Sequence, residues 1–200
     1  MKPKSLIWDI EMGEKPIVVY DACVLYPAPL RDLLMWLAVK GLLAARWSEK
    51  IQSEWIENLL RNRPDLSRER LQRTCVEMNR AIPDAIVVCN EITDQNFVLP
   101  DEDDRHVVET AIAAEAKIIL TSNVKDFPPD QLPSGIISVS PDPFLCELYR
   151  IYPVEVLGTM REHRQMLRNP SKTVEEYLST LEKNGLKMFV ESVRIKADEL

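Results

Sequence analysis

The chain has 200 residues, enough for one ordinary domain with a sizeable core, or for one domain and a small appendage, but too few for two large domains. Its 46% apolar and 28% charged residues exclude a disordered or membrane-embedded chain. A formal net charge of −7 excludes a protein that coats nucleic acid nonspecifically, because phosphate binding of that kind needs a basic surface.

In chain order, residues 1–15 (MKPKSLIWDIEMGEK) form an N-terminal arm without a signal-peptide core. PIVVY, residues 16–20, is a β-branched run suited to a buried parallel strand, and Asp21 follows where that strand ends. After a turn carrying Pro27 and Pro29, the spacing of Leu30, Leu33, Leu34, Leu37 and Val39 predicts a helix over 30–43. Ser48 is the expected N-cap of a second helix, with Ile51, Trp55, Ile56, Leu59 and Leu60 as its buried stripe and Pro64 at its end. Ser67 opens a third helix that Pro83 stops. AIVVC, residues 85–89, reads as the second strand. A helix follows over 101–116, then strands at 118–121 and 136–139. Strands alternating with helices indicate an α/β fold, a parallel sheet with helices on both faces.

From Pro153 no strand-like run remains, and helices are expected near 154–168, 173–183 and 185–198. The predicted division is an arm over 1–15, an α/β domain over 16–152 and a helical extension over 153–200. No apolar stretch approaches the roughly 20 residues that span a bilayer, so the expected compartment is the cytoplasm, with no membrane partner. Cys23, Cys75, Cys89 and Cys146 are scattered, with no CxxC pair, and read as reduced thiols.

Chemical information lies in the acids. Asp21 stands just past a buried strand, Glu54 lies in a following helix, and Asp101-Glu102-Asp103-Asp104 opens the helix before the third strand. Strand C-termini and the adjacent helix N-termini share one edge of a parallel sheet, the edge where ligands bind, so Asp21 and the 101–104 run can converge there. Carboxylates gathered in a partly dry pocket repel one another, and a hard divalent cation with oxygen ligands, Mg2+ or Mn2+, relieves that repulsion. Such a site suits hydrolysis of a phosphodiester by activated water. Each acid also has a plainer reading: a turn residue for Asp21, a solvated glutamate for Glu54, a complement to the helix dipole for the 101–104 run.

Order and local context favour the first reading. IVVYDACVL, SEKIQSEWIENLL, DDRHVVETAIAAEA and IILTSNVKDF resemble the PIN domain over roughly residues 16–145. The resemblance implies a three-layer α/β/α sandwich and a metal-dependent endoribonuclease, with Asp21, Glu54 and Asp104 as acidic metal ligands. Asn123, or Asp126 close behind it, completes the catalytic set, with Asp126 a further metal ligand. Two departures stand out: many members carry an acid where Asn123 stands, and a small polar residue soon after the first Asp, where this chain has Ala22 and Cys23. The chain is also similar to VapC-type toxins of type II toxin–antitoxin pairs, with a C-terminal extension. That likeness implies an RNA substrate, a cognate antitoxin and a homodimer.

Arg61, Arg63, Arg68, Arg70, Arg73 and Arg80 read either as a basic rim for phosphates or as a solvated face. His106 reads as a proton shuttle, a substrate contact or a helix-surface residue, with the last preferred. Arg105 and Lys125 flank the acids, Thr121 and Ser122 cap a strand end or contact the site, and Trp36, Trp47 and Trp55 read as core. Two rival functions are a non-catalytic PIN-like scaffold that binds RNA or protein, and a haloacid-dehalogenase-like phosphatase. The phosphatase ranks low because Cys23 occupies the place of its second aspartate.

Overall fold

The computed structural model describes residues 15–89 and 97–200, so all of the N-terminal arm except Lys15 lies outside the described residues. A four-stranded, wholly parallel sheet runs in the order β2-β1-β3-β4, with β1 Ile17–Tyr20, β2 Ala44–Arg46, β3 Ile118–Leu120 and β4 Ile137–Val139. Val18 pairs with Ala45 on one side and with Ile118 on the other, and Ile119 pairs with Ser138. The chain thus leaves β1 to one side for β2 and returns to its other side for β3. This reversal creates a crevice at the C-terminal ends of β1 and β3. Both strands are almost entirely buried, as β-branched and aliphatic side chains between two layers of helices require.

Helices α1 Ala22–Leu25, α2 Ala28–Val39, α3 Glu49–Asn62 and α4 Arg68–Ala81 fill the first half. Ser48 caps α3 by accepting from the Ile51 N–H at 3.3 Å, and Ser67 caps α4 from the Arg70 N–H at the same length. Ser48→Ala is expected to cost about 1 kcal/mol of stability, read as a lower midpoint in urea unfolding; an unchanged midpoint would show that the cap contributes nothing.

Two sequence expectations are corrected. The helix read over 30–43 ends at Val39, because Gly41 takes a left-handed turn at φ +78°. Its N–H bonds Ala38 O at 2.9 Å and the Leu42 N–H bonds Leu37 O at 3.0 Å, a Schellman closure. The chain released there supplies β2, which the helical reading had hidden. Residues 85–89 do not form the second strand: a 3-10 turn, Pro83–Ala85, leads into a single parallel bridge between Ile86 and Trp47. Beyond it Val88 is 77% exposed, without the cover a buried strand needs. The helix expected over 101–116 begins as a 3-10 turn at Glu102–Asp104 and continues as α5, Arg105–Ala113.

The extension is helical as expected, with α7 Pro153–Met166, α8 Val174–Lys183 and α9 Lys187–Arg194. It is preceded by α6, Pro141–Ile151, which the sequence reading did not assign. Asp142 in the first turn of α6 accepts from the Met188 and Phe189 N–H groups at 3.0 and 2.8 Å, so one helix start caps another. Phe144, Leu148, Met160, Tyr177, Leu181 and Phe189 build a buried apolar seam among these helices. On the opposite side α7 meets α2, where the rings of His163 and Trp36 stack with centroids 5.8 Å apart.

Candidate active site

Parallel pairing of β1 with β3 sets Asp21 beside Thr121. The Asp21 N–H continues the ladder to Leu120 O at 3.1 Å, and Thr121 Oγ1 donates to Asp21 Oδ2 at 2.7 Å. Cys23 Sγ donates to the same oxygen at 3.0 Å and accepts from the Ser122 N–H at 3.1 Å. Burial and the Asp21 charge push the Cys23 thiol up to about 12, which keeps it protonated and able to donate. Asp21 is only 4% exposed. Burial raises its pKa, the bonds from Cys23 and Thr121 lower it in part, and the Glu54 charge raises it further. Cys23, which the sequence offered as a reduced thiol and a departure from the family pattern, is therefore a hydrogen-bond partner of the central acid.

Asp104 ends the 3-10 turn that leads into α5, and Asp101 caps that turn by accepting from the Asp103 N–H at 2.9 Å. Burial pushes the Asp104 carboxyl up to about 7, and the charges of Asp21, Asp101, Glu54 and Asp126 add to the effect. Asp21, Glu54 and Asp126, from three other stretches of chain, thus lie within electrostatic reach of Asp104. Asp126, at the end of the 3-10 turn Val124–Asp126, is half-buried. Asn123 is exposed, and its backbone N–H donates to Thr121 Oγ1 at 3.0 Å.

Glu54 reaches the group from the middle of α3. Its Oε2 is covered and lies 3.1 Å from His106 Nε2, close but without a directed hydrogen bond. His106 Nδ1 sits 2.7 Å from Asp103 O; a carbonyl only accepts, so Nδ1 donates. His106 is 7% exposed, which corrects its reading as a helix-surface residue.

The donor set is oxygen-rich and negatively charged, as a hard divalent ion requires, and part of what raises Asp104, after burial, is the neighbouring acid charge that such an ion offsets. Among the described residues no group of three or more His, Cys, Asp or Glu side chains is arranged so as to hold a metal ion. Mutual repulsion among uncompensated carboxylates opposes such an arrangement, and it is the chemistry of the donors, oxygen-rich and acidic, that fits a hard divalent ion.

The arginines after Glu54 are largely engaged locally: Arg63 donates to Asp65 at 2.7 Å, Arg68 pairs with Glu57, and Arg61 donates to Asn58 at 3.3 Å. Arg105 pairs with Glu109 at 2.9 Å and lies 4.4 Å from the Phe97 ring centroid. Trp47 and Trp55 are fully buried, and Trp47 Nε1 donates to Asn79 at 2.9 Å, so both belong to the core. No helix among the described residues is long and apolar enough to cross a membrane.

Comparison with known proteins gives two family matches: a PIN domain model over residues 17–125 and a VapC50 C-terminal domain model over residues 141–195. No curated protein and no solved structure matches the chain. The first match covers over half of the chain and contains Asp21, Glu54 and Asp104, while the second covers α6 to α9. With its parallel sheet and C-terminal helices, the chain belongs to the PIN-domain family, as a VapC-type protein with a C-terminal extension.

Proposed function

We propose that this protein is a divalent-metal-dependent endoribonuclease, the toxin of a type II toxin–antitoxin pair, with Asp21, Glu54, Asp104 and Asp126 holding Mg2+ or Mn2+. Asn123 lies at the rim as a neutral oxygen donor. The observation that carries the reading is the convergence of acid charge on Asp104 from Asp21, Glu54 and Asp126. The chemistry supplied by such an ion is Lewis-acid activation of water and compensation of charge on phosphoryl oxygens. The protein's own part is orientation: Thr121 and Cys23 fix Asp21 Oδ2, which leaves Oδ1 as the oxygen that can turn to an ion.

The working division is a nuclease domain over 16–152 and an extension over 153–200, acting in the cytoplasm as a homodimer silenced by its antitoxin. Purified, antitoxin-free protein is expected to cut RNA in Mg2+ or Mn2+, to stop in EDTA, and to lose cleavage in Asp21→Asn. Equal cleavage by the variant, or in EDTA, would overturn the reading. Absence of both cleavage and calorimetric Mg2+ or Mn2+ binding would favour the non-catalytic scaffold.

A further inference from the structure

Cys23 and Thr121 do not only donate to Asp21 Oδ2; each also accepts a backbone proton from the loop that follows β3. The Ser122 N–H donates to Cys23 Sγ at 3.1 Å, and the Asn123 N–H donates to Thr121 Oγ1 at 3.0 Å. The thiol and the hydroxyl then give their own protons to the same carboxylate oxygen, at 3.0 and 2.7 Å. Every proton is thus assigned, and Oδ2 only accepts. Sγ and Oγ1 lie 3.4 Å apart, so the two arms run side by side from consecutive amides of one loop to one atom at the end of β1.

That loop carries Asn123 and also Asp126, whose own N–H bonds Asn123 O at 2.9 Å. The ladder between β3 and β4 ends with the Thr121 N–H on Val139 O at 3.0 Å. Ser122 and Asn123, the first amides beyond it, take side-chain acceptors instead of a strand. We infer that Cys23 is a positioning residue for Asp126: through the Ser122 amide its thiol holds the loop against Asp21, and so sets how the two acids stand to each other. Loss of a group behind a metal-ligating side chain typically weakens affinity about 10- to 100-fold. The inference rests on the metal-site reading of Asp21 and Asp126.

The test follows Mn2+ binding to the full chain by electron paramagnetic resonance for wild type, Cys23→Ser and Cys23→Ala, each with and without Asp126→Asn. Urea midpoints check that every variant is folded, and amide exchange of Ser122 is read in the metal-free proteins. Cys23→Ser keeps a donor for Asp21 and an acceptor for the loop amide, whereas Cys23→Ala removes both. The expected Mn2+ affinity is within about 3-fold of wild type for Cys23→Ser and about 10- to 100-fold weaker for Cys23→Ala. The loss caused by Cys23→Ala should be at least about 3-fold smaller in the Asp126→Asn background, because part of it acts through Asp126. Ser122 should exchange about 3-fold or more faster in Cys23→Ala than in wild type or Cys23→Ser. Wild-type affinity in Cys23→Ala, an equal loss with and without Asp126, or unchanged Ser122 exchange would overturn the inference and leave the metal site standing. No Mn2+ binding by wild type would overturn the metal-site reading itself, and the role of Cys23 with it.

Discussion

Asp104→Asn is expected to move activity and stability in opposite directions. Cleavage of RNA should fall at least about 100-fold, because a direct ligand is lost and not only a group behind one. The metal-free protein should become more stable at pH 8. In the folded chain the Asp104 carboxyl is pushed up to about 7, first by burial and then by Asp21, Asp101, Glu54 and Asp126, against about 3.9 in an unfolded chain. Above its folded pKa the side chain must be charged beside other charges, so the stability it contributes below about pH 4 is lost as pH rises through about 7. Asp104 is partly solvated, which screens the effect, and about 1 to 2 kcal/mol is the expected gain from the substitution. Urea midpoints in EDTA at pH 4.5 and pH 8 check this: variant and wild type should nearly coincide at the lower pH and separate at the higher. Saturating Mn2+ should reverse their order at pH 8, since only wild type retains the full acidic set. A D104N protein less stable than wild type at pH 8 in EDTA would mean that the acids do not repel one another across this pocket.

That pocket was legible in part because its acids stand at element boundaries. A β-branched run ending in Asp21, and an acidic run before the helical spacing of Val107, Val108 and Ala111, locate a strand end and a helix start, and parallel topology brings such points to one edge. Ser48 and Ser67 were legible as caps because a side-chain oxygen before an apolar stripe satisfies the first free N–H groups. Glu54 was not locatable by spacing alone, since its approach depends on how α3 packs on α5, and family likeness singled it out. The hidden β2 has a different cause. AAR has weaker strand preference than AIVVC, but the slot beside β1 goes to the segment that the turn at Gly41 delivers there. Gly41 was a readable stop signal, outweighed by the apolar run on either side of it. The interior position of His106 was unreadable for another reason: helical spacing gives a residue's direction around the axis, and only packing shows that α3 covers that side.

Acidification is expected to loosen the joint between α2 and the C-terminal helices by up to about 3 kcal/mol between pH 7 and pH 4. At this joint His163 is 3% exposed, stacked on Trp36 and edge-on to Tyr177, whose hydroxyl lies 3.0 Å from Nδ1. Burial lowers its pKa to about 4, against about 6.5 for an unfolded histidine. The unfolded chain therefore takes up a proton that the folded chain refuses, and stability present above about pH 6.5 is lost as pH falls toward 4. His163→Phe keeps an aromatic ring between Trp36 and Tyr177 and removes the titration, at the cost of the bond to the Tyr177 hydroxyl. The variant is thus expected to be less stable than wild type at pH 7 and to gain on it as pH falls. The comparison must be a difference between the two proteins at each pH, because the Asp104 contribution has the opposite slope and is common to both. A difference that stays constant from pH 7 to pH 4.5 would show that His163 takes up its proton as easily in the folded protein as in the unfolded one, and that this joint does not sense acid.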